Sequence, residues 1–132
     1  MTANYNAKLR SLRDGSLEPQ DFSHLDHIGV AYEAIAHHDF FEALCIIADG
    51  LRDLACRANA PRKFNATVTF AFMSLIAERM KADDHENPAA FIRHNADLTT
   101  KSVLAPWYSD ERLSSEFARS VPLLPDNLGS KG

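Results

Sequence analysis

An all-α fold, a four-helix bundle with a short helical C-terminal extension, is predicted by three features of this 132-residue sequence. Apolar residues recur at three- and four-residue steps between positions 23 and 82, the period of a helix face. Capping residues stand in front of each of these runs. No segment alternates as a strand does beyond two or three residues.

Length predicts one domain. It divides into a mobile N-terminal arm (1–20), a helical bundle domain (21–121) and an extended tail (122–132). In the arm, Asp14-Gly15-Ser16 reads as a turn, and Leu9 and Leu12 as a short helical turn docked on the bundle. The first strong helix opens at Ser23, an N-cap with Asp26 three residues on, and its stripe runs through Leu25, Ile28, Tyr32, Ile35 and Ala36. It ends at His37-His38, where Asp39 and Glu42 form a second capping box. The helix that follows is the most regular: Phe40, Leu44, Ile47, Ala48, Leu51, Leu54, Ala55 and Ala58 share one face. Gly50 lies off that stripe at a helix-propensity cost of roughly 1 kcal/mol against alanine, which a close helix approach would explain.

A third helix is predicted from about Lys63 to Ala82, apolar nearly all round, as expected of a central helix or a subunit interface. Asn87-Pro88 opens a fourth, and Ser109 caps a short helix through Leu113, with a further turn over Glu116 to Arg119. Short connections make the first and second, and the second and third, antiparallel neighbours.

A net charge of −4 leaves no basic footprint, so no nucleic-acid partner is expected. The polar first 13 residues and the lack of a span-length apolar run argue for the cytoplasm and against a membrane partner. Cys45 and Cys56, the two cysteines, lie eleven residues apart on one predicted helix, about 16 Å along its axis. Disulfide geometry needs Cα atoms within about 7 Å, so both are expected as free, reduced thiols, buried or half-buried.

The candidate chemistry begins with His24 and His27, neighbours at i and i+3. Histidine titrates near neutrality, which makes this pair the candidate catalytic acid–base groups. A zinc ion would need a third ligand that the sequence does not set beside them, so no metal and no cofactor are expected. Asn65 and Thr69 interrupt the apolar third helix one turn apart. They read either as capping and back-bonding residues or as ligand-binding groups in a polar pocket shared with the first helix. Tyr108, beside Trp107, either closes one end of the core or forms an aromatic wall of such a pocket.

Phe22-Ser23-His24-Leu25-Asp26-His27 resembles the F-x-H-x-D-H opening of a family of small uncharacterised bacterial all-α proteins. Arg62 to Thr69 looks like that family's Y-H-E-T-x-T segment, and Trp107 to Leu113 like its Y-Y-S-x-E-x-L segment, so the likeness covers most of the chain. Asn65 and Ala66 stand where the family pattern has His and Glu. Any ligand or acid–base role of those two family residues is therefore missing here, while His24 and His27 remain.

The resulting expectation is a protein that binds a small polar molecule in a pocket lined by His24, His27, Asn65 and Thr69 between the first and third helices, with His24 the acid–base group if it is catalytic. A metal-dependent enzyme using His24 and His27, and a non-catalytic interaction module, are the alternatives. A homodimer is expected through Phe70 and Met73 of the third helix and Ile46 of the second, with Ala43, Gly50 and Ala77 permitting close approach.

Overall fold

Helix caps set nearly every element boundary in the computed structural model, which describes residues 4–100 and 102–127. Seven α-helices follow one another: α1 (Tyr5–Asp14), α2 (His24–His37), α3 (Phe40–Arg57), α4 (Ala66–Ala82), α5 (Pro88–His94), α6 (Asp110–Leu113) and α7 (Glu116–Ser120). No strand occurs among the described residues, so the fold is all-α. Both predicted capping boxes are formed, Ser23 with Asp26 on α2 and Asp39 with Glu42 on α3. The two helices are joined by His38 and Asp39 alone.

Within the expected arm, Tyr5–Asp14 form a ten-residue helix, α1, longer than the helical turn expected around Leu9 and Leu12. Asn4 caps it, Gly15 ends it in the left-handed conformation at φ +82°, and Leu9 and Leu12 are buried against its neighbours. Its docking depends on two glycines. A Cβ on Gly29 of α2 would collide with the Tyr5 ring, and one on Gly50 of α3 with the branch of Leu12. The close approach expected at Gly50 is therefore present, and α1 supplies it. Lys8 adds a 2.9 Å ion pair to Asp26 and donates to the Asp21 carbonyl. Burial works against the Asp26 charge, but hydrogen bonds from the Ser23 backbone and from Lys8 outweigh it and hold the carboxyl below its ordinary range.

Docking of α1 changes which helix faces are buried. On α2 the fully enclosed positions include Val30, Ala31 and Ala34, while Leu25 of the expected stripe is 47% exposed. On α3 the buried positions are Ala43, Ile47, Gly50 and Leu54, with Gly50 against Leu12 of α1, whereas Leu44, Ala48, Leu51 and Ala55 of the expected stripe are half-buried. Met73, Ala43 and Gly50, counted above toward a dimer surface, lie inside the chain, and Phe70 and Ile46 are half-buried.

The apolar girth of α4 has a similar cause: α2, α3 and α7 all pack on it. It starts at Ala66 rather than Lys63 because Asn65 is its N-cap and residues 61–63 form a 3-10 turn. The C-terminal segment is tied back onto it by Thr67, whose hydroxyl donates to the Val121 carbonyl (2.7 Å) and accepts from the Leu123 amide (2.9 Å). Residues 128–132 of the expected tail lie outside the described residues.

Candidate functional site

The half-buried part of the α3 stripe, with the buried Leu54 beside it, becomes the floor of a cleft. Leu51, Leu54, Ala55 and Ala58 form that floor, Val68 and Thr69 of α4 one wall, and His27 of α2 part of another. Phe64, Asn65 and Lys63 close the end beside the 3-10 turn, and the cleft encloses about 310 Å³. Volumes near 300 Å³ and predominantly apolar walls are typical of small-molecule sites. Among the lining residues Lys63 is the one charged side chain at neutral pH.

Three of the five residues singled out from the sequence, His27, Asn65 and Thr69, meet in this cleft. Asn65 is hydrogen-bonded at both ends of its amide: its side-chain oxygen accepts from the Val68 amide (3.0 Å) and its nitrogen donates to the Leu113 carbonyl (2.7 Å). That is the capping reading of Asn65, and it leaves the residue as wall rather than as a free hydrogen-bonding group. Thr69 is buried at the α4 wall.

His27 packs between aromatic rings, with centroids 5.9 Å from Phe22 and 5.4 Å from Phe72. Its Nε2 is buried without a hydrogen-bond partner. Burial first, and the neighbouring His24 second, push its pKa from 6.5 down to about 4. At neutral pH the ring is therefore uncharged.

His24 is not part of the cleft lining. Its Nε2 lies 2.9 Å from the Leu98 carbonyl, and since a carbonyl only accepts, the proton sits on Nε2. The His24 and His27 rings stand nearly perpendicular with centroids 6.3 Å apart, and Phe72 contacts both. One nitrogen is spent on a backbone carbonyl and another is sealed among aromatic rings, so the two do not converge on a common point.

Tyr108 sits apart from the cleft. It is buried, and its hydroxyl donates to the Leu123 carbonyl at 2.8 Å, so it closes the core as one of its two readings had it. With Trp107, Phe70, Leu75 and Pro125 it borders a second groove of about 220 Å³ that shares no residue with the cleft. Both cysteines are free and exposed on α3, which corrects the expectation of buried or half-buried thiols. The shift follows from α3 packing through its Ala43–Gly50 side.

Among the described residues no group of three or more His, Cys, Asp or Glu side chains converges on one point. No helix among them is long and apolar enough to cross a membrane. Sequence reasoning missed the α3 floor, because its residues read as ordinary core, and Lys63, because nothing local marks it. The chain matches no family model, no curated protein and no solved structure.

Proposed function

We propose that the protein binds a small, largely apolar molecule in the cleft between α2, α3 and α4, with any acidic end group directed to Lys63. One observation carries this reading: Leu51 and Ala55, residues of core character on α3, stay only half-buried and line the cleft beside the buried Leu54. Burying apolar ligand surface there gains roughly 25 cal/mol per Å². The walls hold no carboxylate to repel an acid.

Binding is favoured over acid–base catalysis by the state of His27. A general base works best with a pKa near the operating pH, and an imidazole at about 4 is a weak base at neutrality. In this reading the ring gives the wall its shape and neutrality.

Amide-resolved NMR with a library of small aromatic and aliphatic acids tests the proposal. Shifts should cluster at Leu51, Ala55, Ala58, Asn65 and Thr69 and be larger for acids than for the matching amides. Perturbations confined to other surfaces would overturn it.

A further inference from the structure

His85 and His94 face one another across the corner between α4 and α5, with their Nδ1 atoms 3.3 Å apart. Two imidazole nitrogens bound to one tetrahedral zinc at 2.0–2.1 Å stand about 3.3–3.4 Å apart, so this spacing is that of a ligated edge. It also accommodates one N–H···N hydrogen bond between neutral rings, and the surroundings decide which use the pair is built for.

The His85 ring is held rather than free. It is half-buried, stands edge-on to the fully buried Phe91 at 5.2 Å, and its carbonyl accepts from the Tyr32 hydroxyl at 3.3 Å. Tyr32 in turn packs on Phe91 at 5.2 Å, so α2 and α5 jointly fix the ring. His94 is the last residue of α5 and is exposed, which leaves the Nδ1 edge open to an ion from solvent. The connection itself carries three exposed acids, Asp83, Asp84 and Glu86, whose field favours a cation.

We propose that His85 and His94 form an open two-histidine site for a borderline divalent cation, Zn²⁺ or Cu²⁺. Imidazole suits these ions, whereas Mg²⁺ and Ca²⁺ prefer oxygen ligands. No third His, Cys, Asp or Glu side chain among the described residues joins the pair, so water fills the remaining positions. That makes the ion exchangeable, unlike the closed four-ligand sites that hold structural zinc. The site shares no residue with the cleft and stands independently of the proposed function.

The test uses chelator-stripped protein without a histidine tag. Zn²⁺ titrated by calorimetry should bind at one site per chain. His94→Ala should weaken it by at least about tenfold, since losing even an outer-shell partner of a metal ligand costs about that much. His85→Gln, which keeps the bulk near Phe91, should do the same, and His37→Ala should leave affinity unchanged. Substoichiometric Cu²⁺ should broaden the imidazole signals of His85 and His94 before those of His24, His37 and His38. Absence of binding, equal affinity in His94→Ala and His85→Gln, or broadening that begins at another histidine would overturn the assignment and leave the pair as a hydrogen bond between rings.

Discussion

Leu12 of α1 occupies the space that Gly50 leaves on α3, with the branch of the leucine where a Cβ would stand. This contact sets how closely α1 approaches α3. Gly50→Ala should therefore destabilise the protein by about 1–3 kcal/mol through overpacking. The helix-propensity gain of roughly 1 kcal/mol works in the other direction and is outweighed, because the colliding atoms belong to the buried branch of Leu12. Urea unfolding checks the sign: a variant more stable than the parent would mean that α1 is not held as described.

Stability should fall with acid through His27. The folded state holds its pKa near 4 against 6.5 for the ordinary imidazole, so below 6.5 the unfolded chain binds the proton first. This contribution is fully present above pH 6.5, is lost progressively down to about pH 4, and is flat below that. Its full size is at most about 3 kcal/mol. His27→Met removes both the titration and the unpaired Nε2, a group whose burial itself costs about 1–3 kcal/mol. Unfolding free energies at pH 7 and 4.5 should differ less in the variant than in the parent. Equal differences in the two proteins would refute the assignment.

The exposure of Cys45 and Cys56 gives a simple chemical expectation. Both thiols should react with a colorimetric disulfide reagent in native buffer, at two per chain and without a slow phase that waits on unfolding. Reaction of fewer than two before denaturant is added would contradict their described position on α3.

Much of this fold is local and was legible for that reason. The boxes at Ser23–Asp26 and Asp39–Glu42 need four residues each, and Asn87-Pro88 needs two. Helix α1 was legible only as a short helical turn docked through Leu9 and Leu12, its two buried residues; its ten-residue length and its reliance on glycine notches at positions 29 and 50 were not. That is complementarity between distant segments, which no window of sequence contains. The same holds for the site: His27, Asn65 and Thr69 could be matched across two helices, but Leu51 and Ala55 carry the pattern of a core stripe whether a helix covers them or not. The His85–His94 pair forms across a corner, and nine residues of separation fit no helical or strand period.

Blocking the cleft and the Trp107 groove in turn tests most directly whether the cleft is the ligand site. Ala55→Phe places a ring on the cleft floor, and Ser74→Phe places one in the groove beside Trp107. For a fragment acid that binds the parent protein, affinity measured by NMR titration should be lost in Ala55→Phe and retained in Ser74→Phe, with both variants showing the helical content of the parent. Retained affinity in Ala55→Phe together with loss in Ser74→Phe would move the site to the Trp107 groove and contradict the account.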